Sequence, residues 1–474
     1  MNRSCHIRWA TLTCFVVVFV GCTNANRPLN DPAVPLENRV ENHTRAEMFS
    51  GVRAFQLAPE APTTQNTWVS PSLPGKPAPF DRDGFFVGLA ISGGGSRSAN
   101  FGAACMFQLE RLGLLQKVDY ISAVSGGTLP AAYYCSHGNE WNPGNVQKTL
   151  TYSFASELIH QGMLPWNWCA FLFTDWDRSD LLAGIFRQKL FTEEGHELTF
   201  GDLRPDRPRL LINTTDLQSG RRLVFSNETF DQLNSDLAKF PLAYAVAASS
   251  SIPVVLHPVT LRDYSTAFPQ YRHIIDGGIT DNLGIEALLD AYSGQLDAAQ
   301  TMGRVDPYPN GAVFIVVDAS TRFNAELSSE SDVGALESLK ISTALTTNSM
   351  VRRVNLANLS DLIIREAAEN LTAKELRSTI HDLVETGYLK MHDIHGHEVR
   401  VIHLSLGQVN DLQNLPFENF STSLNSIGTY FNITDREAYR LYEAAELLVK
   451  DKFEKRIIEI VADLDRGAAT RPSN

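Results

Sequence analysis

Residues 85–98 read FFVGLAISGGGSRS, and this stretch decides how the folded part of the chain is organised. Its apolar half has the length of a buried β-strand and stops at a glycine cluster. Residues 98–113 then place apolar side chains at helical spacing, and Gly113 suits the end of a helix. A strand, a glycine turn and a helix in this order predict the first unit of an α/β fold.

The same order of strand, turn and helix recurs further along the chain. VDYISAVS (118–125) has the character of a strand, and GGTLPAAYYC (126–135) starts a helix in which Pro130 comes early enough to be tolerated. The further candidates for buried strands are residues 209–217 with a hairpin partner at 221–227, and residues 272–278, 312–320 and 399–406. Because helical segments separate most of these strands, we expect a mostly parallel central sheet with helices on both faces.

The composition of the 474-residue chain is that of an ordinary globular protein, with 43% hydrophobic and 20% charged residues. This length allows one large domain or two smaller ones. The formal net charge of −13 argues against the basic surface that nucleic-acid binding requires. Net charge also gives the protein no attraction to anionic lipid, so work at a membrane would need another means of attachment.

The N-terminus offers such an attachment. Residues 1–21 combine two arginines with an apolar run that is short for a transmembrane helix, which predicts a signal peptide. Gly21 directly before Cys22 resembles the cleavage box of bacterial lipoproteins, in which the cysteine becomes lipidated. A plain cleaved signal peptide and an uncleaved anchor are the alternatives. We expect a lipidated Cys22 and a position in the bacterial cell envelope, at the outer membrane or facing the periplasm. The outer membrane is favoured because Asn24 is not the acidic residue associated with inner-membrane retention.

The remaining chain divides into three regions. Residues 22–80 are expected to be a tether, since nine of the 22 prolines fall within them. Residues 81–320 are expected to form a catalytic core. Residues 321–474 are expected to form a helical extension packed on the same body.

Two sets of residues are predicted to be structural. Residues 434–464 open with a capping box, Thr434 and Glu437, and continue as a long amphipathic helix. Beyond Cys22, the three cysteines have the odd number and wide spacing that fit neither a disulfide framework nor a zinc site. We expect them to be buried as small apolar side chains; they are Cys105, Cys135 and Cys169.

Ser125 is the candidate nucleophile. It stands at the end of an apolar strand, with glycines after it and a helix beyond, which is the setting of a nucleophile elbow. The sharp turn of an elbow needs small neighbours, and Ala123 occupies the position of the usual first glycine. The alternative is a turn in which the serine only caps the following helix.

The triple glycine at 93–95 is the candidate oxyanion hole. Glycines between a strand and a helix free backbone N–H groups to point at one spot, where the helix start adds positive potential. A phosphate loop is excluded because no Gly-Lys-Ser/Thr follows, and the dinucleotide pattern fails at Ser98. An oxyanion hole remains, with Arg97 able to help bind charge. The alternative is a tight structural turn.

Asp276 is the candidate general base. It follows an apolar strand and precedes two glycines, so it would reach a site built at the carboxyl ends of parallel strands, where Ser125 also lies. Asp281 and Asn282 could brace its loop. No histidine stands in a comparable loop, and a carboxylate can act as the base when a dry site raises its proton affinity. The alternative is an Asx turn.

Four motifs in this order resemble those of the patatin-like phospholipases. They are Gly-Gly-Gly-x-Arg at 93–97, x-Ser-Gly-Gly around Ser125, Ala-Ser-Ser-Ser-Ile-Pro at 248–253 and Asp-Gly-Gly at 276–278. The resemblance runs from about residue 85 to about residue 290. It implies a three-layer α/β/α sandwich and a serine–aspartate dyad that cleaves acyl esters of lipids. The implied roles are nucleophile for Ser125, base for Asp276, and oxyanion hole for Gly93, Gly94, Gly95 and Gly126 with Arg97 beside them.

The sequence therefore predicts a lipid acyl hydrolase that needs no cofactor or metal. Its expected partners are phospholipid or another acyl lipid, and a membrane reached through the N-terminal anchor. One alternative is an acyltransferase of the same fold, in which an alcohol replaces water. Another is a catalytically inactive lipid-binding envelope protein. A nucleotide-binding protein using residues 93–95 is disfavoured by the missing lysine.

Two further segments allow more than one interpretation. MLPWNWCAFLFTDW (163–176) is rich in aromatic residues, which favour the bilayer boundary, so it could be an interfacial lid or the wall of an acyl-chain site. Packing in the core is the alternative, and it is the more frequent explanation for such a segment. A histidine cluster, His392, His395 and His397, could bind a metal, but Gly396 and the following strand favour a solvated hairpin loop.

Overall fold

The computed structural model describes residues 27–33, 83–253, 255–266, 268–321, 353–365, 372–429 and 431–470. The predicted signal peptide and Cys22 lie outside these residues. The β-strands are β1 (Phe85–Ile91), β2 (Tyr120–Val124), β3 (Thr192–Glu193), β4 (His196–Glu197), β5 (Arg209–Asp216), β6 (Arg221–Phe225), β7 (Val259–Asp263), β8 (Gln270–Asp276), β9 (Gly311–Asp318), β10 (Tyr388–His392) and β11 (Glu398–Ser405).

Helices connect most of these strands. They are α1 (Gly95–Arg111), α2 (Thr128–Ser136), α3 (Pro143–Leu150), α4 (Phe154–Gly162), α5 (Pro165–Phe173), α6 (Arg178–Lys189), α7 (Asn227–Gln232), α8 (Leu242–Ser249), α9 (Ile285–Thr301), α10 (353–365), α11 (Ala373–Thr386), α12 (Phe420–Asn425), α13 (Asp435–Leu448) and α14 (Glu454–Thr470). Single 3₁₀ turns include Ser125–Gly127 and Gly277–Ile279, which follow β2 and β8.

Nine strands form one mixed sheet in the order β10-β11-β9-β1-β2-β5-β8-β7, with β6 also paired to β5. The five strands from β11 to β5 are mutually parallel, while β10, β6, β8 and β7 join as antiparallel neighbours. All residues of β1 and β9 are buried, as continuous apolar strands of a covered parallel sheet should be. The predicted mostly parallel sheet is confirmed for this centre.

The strand that ends at Asp276 runs in the direction opposite to the one that the sequence suggested. β8 is antiparallel to β5, and the two strands pair only where Thr214–Asp216 lies opposite Ile274–Asp276. β2 stops beside Asn213, so this last part of β5 projects beyond β2. Because Thr214 is one residue beyond Asn213, its partner Asp276 comes to the level of Ser125. The expected edge is reached, but through an antiparallel strand.

The sheet separates two apolar clusters, which makes the fold the three-layer α/β/α sandwich that was expected. Val87 and Leu89 of β1 face the larger cluster, which α1, α2, α6, α8, α13 and α14 cover. Phe86 and Ala90 face the smaller one, which α9, α10 and α11 cover. The alternation of side chains along β1 thus supplies both cores from one strand.

The C-terminal helices α13 and α14 pack against the larger apolar cluster, and β10 and β11 of the same region join the sheet. Thr434 and Glu437 form the capping box, with each side chain accepting the other residue's backbone N–H. α13 packs against α1, and a π-helical turn at Val449–Phe453 divides the predicted single helix into α13 and α14. A π turn shifts the helical register, so α14 continues with its own buried stripe at Ile457, Ile460 and Leu464.

The predicted tether is described only at residues 27–33, and this part lies against the body instead of standing free. The Leu29 N–H donates to the Thr260 carbonyl of β7 at 3.1 Å. The buried Asn30 side chain donates to the Arg262 carbonyl and accepts from the Arg262 N–H. These pairs satisfy an edge strand that would otherwise be exposed. Among the residues that the structure describes, no helix combines the length and apolar character needed to cross a membrane.

Two smaller expectations have mixed outcomes. Cys105 and Cys135 are buried as predicted, but Cys169 is exposed, because it lies on α5, none of whose residues is buried. The histidine cluster lies in and beside the β10–β11 hairpin turn, the interpretation favoured over a metal site. The ring of His397 there contacts the carboxylates of Asp393 and Asp306.

Candidate active site

A strained turn presents Ser125 between β2 and α2. Its φ of +49° lies in the left-handed region, which costs a non-glycine residue about 1–2 kcal/mol. The surrounding contacts hold this conformation: the Ser125 N–H donates to Ser249 Oγ at 2.8 Å, and Thr128 Oγ1 donates to the Ser125 carbonyl. A Cβ on Gly126 would lie 2.0 Å from the Gly95 carbonyl oxygen, so only glycine fits after the serine.

The side chains of Ser125 and Asp276 meet. Ser125 Oγ donates to Asp276 Oδ2 at 2.9 Å. Only 6% of Ser125 and 7% of Asp276 is exposed to solvent. The backbone on either side of the carboxylate is fixed as well, because the Asp276 N–H donates to the Ser251 carbonyl and Thr215 Oγ1 donates to the Asp276 carbonyl. The hydroxyl therefore faces a proton acceptor that is held in place and shielded from water.

Burial raises the pKa of Asp276 to about 6, although hydrogen bonds from the Gly278 N–H and from Ser125 oppose the rise. The Gly278 N–H donates to Asp276 Oδ1 at 2.7 Å, which leaves Oδ2 for the serine. A carboxyl with this pKa is ionised at neutral pH but holds a proton more strongly than an ordinary aspartate. These are the properties of a general base that works near pH 7.

The glycine loop lies directly beside the serine. A Cβ on Gly93 would come within 3.6 Å of the Ser125 Cβ, and Gly94 and Gly95 have φ values of +141° and +55° that favour glycine. Among the described residues, no acceptor takes a hydrogen bond from the amides of Gly94 and Gly95. These two N–H groups, at the start of α1, are available to a negatively charged oxygen.

Gly93 does not share this property. Its N–H donates to the Asn282 carbonyl at 2.9 Å, so it is already used and does not match the oxyanion role expected for it. The bond ties the glycine loop to the segment that follows Asp276. Asn282 continues the link, since its Nδ2 donates to Asn355 Oδ1 at 2.8 Å. The bracing that was expected of Asn282 is therefore seen, and Asp281 braces the start of α9 by accepting the N–H groups of Gly284 and Glu286.

Arg97 also departs from its expected place beside the oxyanion. Its Nη1 donates to the Ile427 carbonyl at 2.9 Å, and the side chain is buried. Burial lowers the pKa of Arg97 to about 10, while the charge of Asp318 raises it. A Cβ on Gly95 would lie 1.7 Å from the Thr429 carbonyl oxygen. Arg97 thus holds part of the C-terminal region over the glycine loop.

Comparison with protein families assigns this part of the chain. Residues 89–289, which contain Ser125, Asp276 and the glycine loop, match the model described as patatin-like phospholipase. This part of the chain is therefore similar to the patatin-like phospholipases. No protein among the curated sequences matches the chain.

Solved structures also match the chain, at low sequence identity. Human GIVD cytosolic phospholipase A2 is 14% identical, with a TM-score of 0.47 over 82% of this chain and 61% of its own. This chain therefore spans less than two thirds of that protein. VipD from Legionella pneumophila is 14% identical, with a TM-score of 0.28 over 78% of this chain and 67% of its own. ExoU of Pseudomonas aeruginosa, solved with SpcU, is 18% identical, with a TM-score of 0.23 over 37% and 40%.

Sequence reasoning missed two residues that position Ser125. Ser249 Oγ accepts the Ser125 N–H and donates to the Asn213 carbonyl at 2.6 Å. Asn213 Nδ2 in turn donates to the Ala123 carbonyl. The signal for Ser249 was present, since it stands first in the Ser-Ser-Ser run at the end of an apolar helix. The use of its hydroxyl depends on contacts 124 residues apart.

Two histidines near Asp276 in the sequence, His257 and His273, make other contacts. His273 is on β8, where its Nδ1 lies 3.0 Å from Thr260 Oγ1. The carbonyl of His257 accepts from the Ser179 hydroxyl. The hydrogen bond of the Ser125 hydroxyl thus goes to the carboxylate of Asp276.

Proposed function

We propose that the protein is a serine hydrolase that cleaves carboxylic ester bonds of phospholipids or other acyl lipids by a Ser125–Asp276 dyad. The single observation that carries this proposal is the 2.9 Å hydrogen bond from the Ser125 hydroxyl to a buried carboxylate. It supports nucleophilic catalysis because a serine needs a base to lose its proton as it attacks. The phospholipase family of the domain supports a lipid ester as the substrate.

In the first half of the reaction, Asp276 takes the hydroxyl proton while Ser125 Oγ attacks the ester carbonyl. The negative charge that develops on the carbonyl oxygen faces the amides of Gly94 and Gly95, which supply the donors of an oxyanion hole. The Gly126 N–H, next to the nucleophile, is the third candidate donor. Collapse of this intermediate transfers the proton from Asp276 to the leaving alcohol and leaves an acyl group on Ser125.

In the second half, Asp276 takes a proton from a water molecule that attacks the acyl-enzyme. The same amides bind the second oxyanion, and the proton returns to Ser125 Oγ as the fatty acid leaves. An acyltransferase would differ only in the nucleophile, with an alcohol in place of this water. The products formed with and without an added acceptor alcohol separate the two reactions.

Covalent labelling tests the proposal. A fluorophosphonate probe, which reacts with activated serines, should label the purified protein once, on the peptide that contains Ser125. The same preparation should release fatty acid from phosphatidylcholine vesicles. A protein that is folded but neither labelled nor able to release fatty acid would instead be the inactive lipid-binding member of the family.

The pH dependence should report the ionisation of Asp276. The base must be deprotonated to accept the serine proton, so kcat/KM should rise with pH and level off above the Asp276 pKa of about 6. At pH 5 the value should be about one tenth of that at pH 7. The measurement is kcat/KM for a soluble short-chain ester from pH 4.5 to 8.5. A profile that stays flat down to pH 4.5 would show that no base with this pKa takes part.

A further inference from the structure

An exposed apolar helix stands out from the body. None of the nine residues of α5 is buried, and the helix carries no charged side chain. Trp166 is 65% and Phe173 82% exposed, and Leu172 and Cys169 are exposed as well. Core packing, the alternative interpretation of this segment, is therefore wrong for these residues. A cluster of large apolar side chains in solvent indicates an interaction site.

Three of the exposed side chains of α5 form one stripe. Trp166, Cys169 and Phe173 are spaced i, i+3 and i+7, so they lie on the same face of the helix. The opposite face contacts the protein: the Trp168 indole N–H donates to the Gly162 carbonyl, and Phe171 stacks on Trp176 at 5.2 Å. The helix is thus held against the protein by one face and exposes an apolar stripe on the other. Met163 and Ile159, just before it, add further exposed apolar surface.

The segment that follows α5 contacts the chain next to the loop beside Asp276. Residues 174–180, which follow α5, lie against residues 257–260, where the Ser179 hydroxyl donates to the His257 carbonyl. The loop just before His257 exposes Ile252 and Val255. Its first residue, Ser251, accepts the N–H of Asp276. Exposed apolar side chains therefore occur both on α5 and in the loop whose first residue contacts Asp276.

The N-terminal segment 27–33 lies beside the residues that follow α5. Arg27 and Leu29 line a small crevice together with Asp175, Asp177 and Pro258, directly beyond the end of α5. Cys22, the predicted lipidation site, precedes Arg27 by five residues, and a segment of that length spans at most about 17 Å. A lipid on Cys22 would therefore attach the chain close to this side of the body.

We propose that α5, with Ile252 and Val255, is a membrane-docking face that seats in the interface of a zwitterionic bilayer and turns the Ser125–Asp276 dyad toward its lipid substrate. This proposal rests on the proposed function for the substrate alone. Tryptophan and phenylalanine suit the boundary between headgroups and acyl chains. Attachment through apolar contact also fits a protein whose net charge of −13 repels anionic lipid.

Fluorescence quenching tests the docking without using activity. The full-length protein is bound to phosphatidylcholine vesicles with brominated acyl chains, which quench tryptophans that enter the bilayer. Trp166→Phe should remove most of the bromine-dependent quenching. Trp141→Phe is the control, because Trp141 is buried against α1 and should not contribute. Equal quenching in Trp166→Phe and the unmodified protein would overturn the proposal, even if another segment holds the protein on the vesicle.

A second measurement links docking to turnover. The double variant Trp166→Ser/Phe173→Ser should hydrolyse phosphatidylcholine vesicles at least tenfold more slowly and a soluble short-chain ester at an unchanged rate. Val305→Ser/Ile394→Ser is the matched control, since these side chains are 87% and 69% exposed at the opposite edge of the sheet. Equal losses on both substrates would contradict docking. A dimer of the unmodified protein that dissociates in Trp166→Ser/Phe173→Ser would also contradict docking if the quenching by vesicles persists. A second copy of the chain would then cover the stripe. If the unmodified protein hydrolyses neither substrate, the proposed function is refuted. The quenching experiment would still test the docking, because it does not depend on activity.

Discussion

Replacing Ser125 by alanine is expected to lower the rate of ester hydrolysis by at least about 10⁴-fold, the scale on which loss of a catalytic nucleophile acts in serine hydrolases. The variant keeps the binding surface and the amides of Gly94 and Gly95, but no atom remains that can form the acyl-enzyme. Fluorophosphonate labelling should disappear at the same time. The measurement is kcat/KM on a soluble ester, together with thermal unfolding to show that the fold persists.

The fold should tolerate this change. The Ser125 N–H still donates to Ser249 Oγ, and Asp276 keeps the hydrogen bond from Gly278. Ser136→Ala is a suitable control because Ser136 is also buried and its hydroxyl donates to the Ala132 carbonyl within α2, away from Asp276. It should lose a comparable hydrogen bond and keep its activity. Turnover by Ser125→Ala near that of the unmodified protein would show that another residue is the nucleophile.

The sequence was sufficient to find this serine because local rules determine its setting. A continuous apolar strand, small residues and a helix start fix the turn around Ser125 within about ten residues. The same kind of local pattern located the glycine loop after β1 and Asp276 after β8. Each of these motifs ends a strand, and the ends of neighbouring strands come together in an α/β sheet. The sequence therefore predicts that Ser125 and Asp276 lie close together, although this prediction takes the strand before Asp276 to be parallel to its neighbours.

The direction of β8 and the orientation of Arg97 could not be found in this way. An apolar strand has the same sequence pattern whether its neighbour is parallel or antiparallel. Asp276 reaches the site because β8 pairs with the end of β5 that projects beyond β2. Arg97 bonds to Ile427, 330 residues away, and its glycine loop is covered by Thr429. Such contacts depend on how the C-terminal helices pack, and the sequence near Arg97 does not predict that packing.

Asp276→Asn should lower kcat/KM by about 10³- to 10⁴-fold, the loss typical when an aspartate of a serine hydrolase site becomes an amide. Asparagine has nearly the same shape, and its oxygen can still accept the Gly278 N–H. The group that then faces Ser125 Oγ is an NH₂, which donates and cannot take a proton. Labelling by fluorophosphonate should become slow instead of disappearing, because the serine hydroxyl is present but is no longer activated. Fast labelling with normal turnover would assign the base to another group.

The same substitution should leave the protein at least as stable above pH 6, which distinguishes a catalytic carboxylate from a structural one. Burial raises the pKa of Asp276 to about 6, above its ordinary value of 3.8, so folding becomes less favourable as pH rises from about 4 to 6 and the buried group must ionise. Asparagine removes that penalty. Asp281→Asn is the control: Asp281 is buried, with its pKa raised to about 7, but it accepts N–H groups at the start of α9. It should keep most of its activity. A large loss of activity in Asp276→Asn with no loss of stability would therefore assign this carboxylate a role in catalysis and not in folding.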